Sequence, residues 1–306
     1  MVTLPTNLVL TKSFTKFIDE ANGALKGSVN INFLGGPEVT PPEKAADSLK
    51  RGIFQLMHSP ASYYTGTVPE ADVLIATNHS AAEIRKNGGL ALIQKIWAEK
   101  LNAHVLGWFE SRFQESADGP HRGLYNLYFT KKPTITADKL DLSGFKMRTT
   151  PTYTELLNAL GAVPVSIKAG EVYTSLERGV VQGFGFPGVA VIGLGVQKVV
   201  KYRVDPAFFT GNNLVLVHLP TWQKLPQAAR DKLTELAAKY EVESNLFVTA
   251  EAAKEEAELK QNGMEILTLT GNAEKSYLRA AYDNVWERVD TRAPENAKLL
   301  REKFHN

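Results

Sequence analysis

Arg148 ends a short apolar run, Phe145-Lys146-Met147, and a Thr149-Thr150-Pro151 turn follows it. A guanidinium at the end of a buried strand is unfavourable unless it meets an anion, because a full charge and its N–H donors leave water together. The residues after the turn read as a helix, whose first N–H groups and positive dipole end would stand beside that guanidinium. The chemistry in view is carboxylate capture.

Other chemistries have weaker footing. The six histidines are scattered, with no His-Glu-x-x-His and no short metal-ligand spacing. No Gly-x-Ser-x-Gly elbow and no P-loop is present. The absence of cysteine rules out disulfides, thiolate zinc sites and cysteine catalysis. Gly183-Phe184-Gly185-Phe186-Pro187-Gly188 matches G-x-G-x-x-G, with Asp205 at about the spacing of a ribose contact. Two phenylalanines would crowd a pyrophosphate there, and Pro187 lacks an N–H to offer it. No catalytic residue, metal or cofactor is assigned. A net charge of +2 argues against nucleic acid or an anionic membrane as the main partner.

The elements that must position Arg148 follow from periodicity. A chain of 306 residues favours two domains. Ser13 to Ala21 reads as an amphipathic helix with Phe14, Phe17 and Ile18 on one face. Val29 to Phe33 alternates as a strand, Pro42 to Arg51 is a helix, and Ile53 to Met57 is a strand. Ser59 to Tyr64 is a loop at that strand's carboxyl end. Ala81 to Lys100 is helical with a break at Gly88-Gly89, and Ala103 to Phe109 is a strand. Around Arg148 the order is strand, turn, helix, then Val163 to Ile167 as strand, Glu171 to Gly179 as helix, and Gln182 to Pro187 as strand. Glu171 opens its helix, where a carboxylate caps N–H groups. Trp108 and Trp222 read as core residues. Pro226 to Gln261 holds a helical pattern without internal Pro or Gly, about 50 Å at ~1.5 Å per residue, and a last helix runs from Ala273 to Arg288 or beyond. The alternation predicts an α/β fold with a mostly parallel sheet. The polar stretch Glu115 to Gly123 reads as the crossing into the second domain, and Gly211 to Val217 as the return.

The segment with Gly144, Lys146 and Arg148, then Leu160-Gly161-Ala162-Val163-Pro164-Val165, then Glu171-Val172-Tyr173, Leu176, Gly179 and Gly183, resembles the substrate-binding subunits of tripartite ATP-independent periplasmic (TRAP) transporters. The likeness extends more loosely to Gly27–Pro69 and to Thr221-Trp222 through Leu225-Pro226. It implies a two-lobed, periplasmic-binding-protein-like fold with a hinge and a long helix spanning both lobes. Lobe I would hold residues 1–122 plus about 214–250, and lobe II 123–213 plus about 251–272, with 273–306 packing on them. It implies a monomeric, periplasmic receptor that passes an organic acid to TRAP membrane subunits. No signal peptide is visible in the chain, since Thr6 to Leu10 is too short for its apolar core. Members of this family begin with a core strand; here the first helix reads from near Thr11, so that strand is short or absent.

The resemblance gives Arg148 a bidentate salt bridge to the ligand carboxylate. Many members carry a second arginine where Tyr125 or Leu127 stands here, and an Asn where Phe186 precedes Pro187. Both changes replace polar groups by aromatic or apolar ones, so the expected ligand is a monocarboxylate with an apolar or aromatic body. Tyr63 or Tyr64, Asn212 or Asn213, and Glu38 are further candidate contacts, and Arg122 or Lys168 could serve a second carboxylate. Two other readings stay open: a cytosolic NAD-linked oxidoreductase using Gly183–Gly188, and a ligand-sensing module.

Overall fold

The computed structural model describes Val2, residues 8–111 and residues 123–305. The expected crossing at Glu115 to Gly123 lies, but for Gly123, outside the described residues, as does Arg122. The strands are β1 (Leu56–Pro60), β2 (Ala103–Phe109), β3 (Tyr125–Phe129), β4 (Thr134–Ile135), β5 (Leu140–Asp141), β6 (Lys146–Thr149), β7 (Val163–Ser166), β8 (Gly183–Pro187), β9 (Tyr202–Phe209), β10 (Asn213–His218) and β11 (Glu265–Thr268). The helices are α1 (Val9–Ala24), α2 (Pro42–Lys50), α3 (Ala81–Lys86), α4 (Gly89–Leu101), α5 (Thr154–Ala159), α6 (Val172–Glu177), α7 (Leu219–Lys224), α8 (Gln227–Gln261), α9 (Gly271–Arg292) and α10 (Pro294–Phe304). The chain clusters into two compact units. The first holds Met1–Phe113, Gly211–Val248 and Arg288–Asn306, and the second holds Gln114–Thr210 and Thr249–Glu287. The stretch 273–306, read from sequence as one C-terminal segment, is thus divided between them. Among the described residues no helix is long and apolar enough to cross a membrane.

The first unit is built on a three-stranded sheet in the order β1-β10-β2, with both pairings antiparallel. The apolar face of α1 supplies Phe14, Phe17, Ile18 and Ala21 to a core shared with Leu106, Phe109, Val215, Leu236 and Tyr240. The second unit carries a six-stranded sheet, β11-β9-β3-β8-β6-β7, and β4 and β5 form a separate hairpin. In the larger sheet β3 runs antiparallel to both β8 and β9, while β11-β9, β8-β6 and β6-β7 are parallel. Its core gathers Tyr128, Val172, Leu176, Val181, Phe184 and Val200.

The fold is mixed α/β, but the expectation of a mostly parallel sheet is corrected. β1 and β2 both run towards the end where the chain leaves the first unit, and β10 brings it back from that end. A returning strand placed between two outgoing ones must run against both. Val29 to Phe33 is also not a strand. The Asn22 side chain accepts the Ile31 N–H at 2.7 Å and donates to the Ile31 carbonyl at 3.1 Å, meeting those backbone groups without a sheet neighbour. The strand expected at Ile53 lies further along, over Leu56–Pro60. Val2 stands where a first core strand would run: it bridges in parallel to Met57 and Gly35, and its N–H donates to Leu56 O at 3.1 Å. The 35-residue α8 is a single helix, as its unbroken sequence predicts.

Candidate functional site

The second unit places Arg148 on β6, beside β7 and β8. Its side chain is buried, 5% exposed. Nε–H donates to the Ile167 carbonyl at 2.9 Å, Nη1 donates to the Tyr153 hydroxyl at 2.9 Å, and Nη1 lies 3.4 Å from the Gly185 carbonyl. The guanidinium carbon is 5.8 Å from the Phe186 ring centre, within reach of a cation–π attraction. Every one of these partners is neutral. No carboxylate among the described residues pairs with Arg148, so none of them supplies a counter-charge to this buried cation. Burial on those terms is unfavourable, and an anion from outside the chain would relieve it.

Tyr153 completes the cluster. It is buried in a short 3-10 turn, Pro151–Tyr153, and its O–H donates to the Gly185 carbonyl at 2.8 Å. Burial holds its phenol above the ordinary value, opposed by the charge and hydrogen bond of Arg148, so the hydroxyl keeps its proton. Its ring meets Phe208 edge-on at 5.8 Å, and Phe208 meets Tyr125 at 6.2 Å. Tyr125 pairs with Pro187, and its neighbour Asn126 pairs with Phe186. The structure thereby brings Arg148, Phe186 and Tyr125 into one neighbourhood, with Tyr153 and Phe208 between. The sequence reading passed over Tyr153. The available signal was an aromatic residue five positions after Arg148, beside a strand with glycine at alternate positions. The helix dipole expected next to Arg148 contributes little. The 3-10 turn intervenes, and α5 has only six residues.

The glycine segment has a packing role. β8 is an interior strand, so Gly183–Gly188 is not the strand-to-helix turn that a dinucleotide site requires. A Cβ on Gly183 would lie 2.6 Å from the Tyr128 carbonyl oxygen, and one on Gly185 would lie 2.9 Å from the Tyr153 ring. Neighbouring groups approach too closely there for any side chain, which accounts for both glycines without a phosphate. Glu171 stands at the start of α6, but its side chain makes no capping bond, contrary to expectation.

The remaining candidates, apart from Lys168 of the second unit, lie in the first unit. Glu38 is exposed, accepts the Gly36 N–H at 2.7 Å, and is held below the usual carboxylate range mainly by that backbone bond. Tyr64 is a core residue whose hydroxyl accepts from Trp97 Nε1 at 3.3 Å, while Tyr63 is 45% exposed. Asn213 is buried and donates to Glu110 Oε2 at 2.6 Å. The same oxygen lies 3.1 Å from His58 Nε2, and the Glu110 N–H donates to Ser244 Oγ at 2.9 Å. Glu110 holds φ +55° at the end of β2, in the left-handed region that non-glycine residues seldom occupy. Sequence reasoning missed this buried group, because His58, Glu110 and Asn213 are far apart along the chain. Lys168 is exposed. Trp108 and Trp222 are buried, as expected. Among the described residues no three His, Asp or Glu side chains gather to hold a metal ion.

The family model for bacterial extracellular solute-binding protein, family 7 (DctP), matches residues 2–292. A Nostoc protein named as a monocarboxylate 2-oxoacid-binding periplasmic protein is 28% identical over 229 residues, spanning 72% of this chain and 58% of that relative. The structure is similar to that of a Bordetella pertussis extracytoplasmic solute receptor binding pyroglutamic acid. That match has a TM-score of 0.79 and 19% identity, and covers 99% of this chain and 98% of the other. A TRAP periplasmic solute-binding protein from Rhodoferax ferrireducens with bound malonate gives a TM-score of 0.78 at 18% identity, covering 99% and 96% of the two chains. At these identities the structures establish a shared fold.

Proposed function

Because this chain belongs to the DctP family of bacterial extracellular solute-binding proteins, we propose that it is a periplasmic receptor for a small organic acid, which it passes to TRAP membrane subunits. The observation that carries the reading is the buried Arg148 guanidinium, whose described partners are all neutral. A ligand carboxylate supplies the missing charge and forms a charge-assisted bond. Capture needs no chemical step. The ligand stabilises the state to which it binds best, which is what a delivery protein requires.

The ligand class follows from the surroundings. Phe186, Tyr125, Tyr153 and Phe208 offer flat apolar surface near the cation, and among the described residues Arg148 is the one cation in that group. A second buried carboxylate would lack a partner there. The ligand is therefore a monocarboxylate with an apolar or aromatic body. The 2-oxoacid named for the Nostoc relative and the pyroglutamic acid bound by the Bordetella receptor, each with one carboxylate, support the single carboxylate of this reading but not its apolar body. Malonate in the Rhodoferax structure is the counter-case that a test must include. Tyr63, Asn213 and Glu38 stay separate candidates within the first unit.

A thermal-shift screen of 2-oxoacids, pyroglutamate, aromatic monoacids, malonate and sugar acids tests both levels. A ligand at ~100 times its Kd adds about 2.7 kcal/mol of stability. Aromatic or branched monoacids should give the largest shifts. A strong response to malonate with none to the monoacids overturns the ligand class, and no response to any organic acid overturns the receptor reading.

A further inference from the structure

Arg148 has five N–H donors, and their partners restrict how it can hold an acid. A guanidinium grips a carboxylate with two parallel bonds, through Nε and Nη2 or through Nη1 and Nη2. The first pair is closed, since Nε–H is bonded to the Ile167 carbonyl at 2.9 Å. In the second pair, Nη2 has no acceptor among the described residues. Nη1 holds the Tyr153 hydroxyl at 2.9 Å and reaches the Gly185 carbonyl only at 3.4 Å, too long for a strong bond. That carbonyl already accepts the Tyr153 O–H at 2.8 Å. Releasing Nη1 from Gly185 therefore leaves no buried oxygen without a donor.

We infer that Tyr153 is a positioning residue of this site: its hydroxyl fixes the guanidinium from the Nη1 side and keeps the Gly185 carbonyl bonded when Nη1 and Nη2 turn to a ligand carboxylate. The inference rests on the reading of Arg148 as a carboxylate anchor. Without the hydroxyl, Gly185 O would lose its O–H donor and keep only the 3.4 Å approach of Nη1, too long to hold the guanidinium in place. Gly185 is part of the device, because a side chain there would meet the Tyr153 ring at 2.9 Å and move the hydroxyl off its carbonyl.

The test begins without ligand. In protein labelled with 15N-arginine, the Arg148 signals are identified by their loss in Arg148→Ala. The held Nη1 slows rotation about Nε–Cζ, so the wild type shows separate Nη signals. Tyr153→Phe, which keeps the ring, should merge them, and so should Gly185→Ala; if one variant fails to fold, the other is read. Merged signals in the wild type, or separate signals in a folded variant, overturn the inference. Pyroglutamate titrations form the second arm. Tyr153→Phe should weaken binding roughly tenfold, yet less than about twofold when Arg148 is already alanine, because coupled groups are not additive. Equal losses in both backgrounds count against a positioning role. An absence of wild-type binding bears on the receptor reading and leaves the ligand-free arm to decide on Tyr153.

Discussion

Arg148 is the residue whose removal should matter most to binding. Arg148→Ala leaves a desolvated carboxylate without its partner, so ligand affinity should fall by roughly 2–5 kcal/mol in calorimetry. Arg148→Lys should also bind poorly, because a single ammonium cannot replace the planar fork or the bonds to Ile167 and Tyr153 together. Affinity near wild type for the alanine variant would remove Arg148 from the site. Phe186→Asn should lower affinity for an aromatic monoacid by about 1–2 kcal/mol through lost apolar contact. A second residue-scale test concerns acid stability. His104 stacks on Trp222 at 4.1 Å, and burial, aided by the charges of Arg230 and Arg85, pulls its pKa down to about 4. The unfolded chain binds that proton near pH 6.5 and the folded chain only near pH 4, so stability falls as pH drops through that window. His104→Phe, which keeps the stack, should reduce the loss between pH 7 and pH 4.5 by on the order of 2 kcal/mol in urea unfolding, allowing for partial solvent screening. An identical pH dependence in both proteins would exclude His104 as its source.

Among the elements, α8 contributes to both units through different contacts. In the first unit Glu241 lies buried on α8 and receives Arg85 Nη2 at 2.9 Å, Arg85 Nε at 2.5 Å and the Trp108 N–H at 2.9 Å, tying the helix to α3 and β2. In the second unit Glu255 accepts the Val191 and Ile192 N–H groups at 2.9 and 3.0 Å, and Glu256 pairs with Arg203 at 2.8 Å. Burial pushes the Glu241 carboxyl up, and Arg85 counters it. Removing one partner of such a pair leaves an uncompensated buried charge, so Arg85→Ala should cost about 3–5 kcal/mol in chemical denaturation. A loss below about 1 kcal/mol would mean that Glu241 takes up a proton or finds water instead.

At the scale of the whole molecule, the chain passes between the two units at about residues 113, 210, 248 and 287. Two of these passages lie inside α8 and α9 rather than in loops. A receptor of this design is expected to close on its ligand. Small-angle scattering should then show a smaller radius of gyration with a saturating acid from the thermal-shift screen. An unchanged radius on full binding, with the free protein as extended as the bound one, would count against hinge closure.

Much of this was legible in the chain itself. Local signals marked α1 by its one apolar face, α2 by the proline at its start, α4 by the glycine break before it and α8 by the lack of any internal Pro or Gly, while β2 was legible as a short apolar run. The order of residues around Arg148 placed a cation at a strand end next to a turn, and the same segment carried the family likeness. What only the tertiary structure decided depends on where distant segments come to rest. β10 runs against its neighbours because of where the chain returns. Val29 to Phe33 alternates like a strand but has its backbone met by Asn22. The partners of Arg148 come from β6's surroundings at Tyr153, Ile167 and Gly185, and the glycine that resembles a phosphate loop is there to admit a tyrosine ring. A local pattern reports how a segment buries its own side chains. The fate of each donor and acceptor is settled by the neighbours that folding brings within about 3 Å.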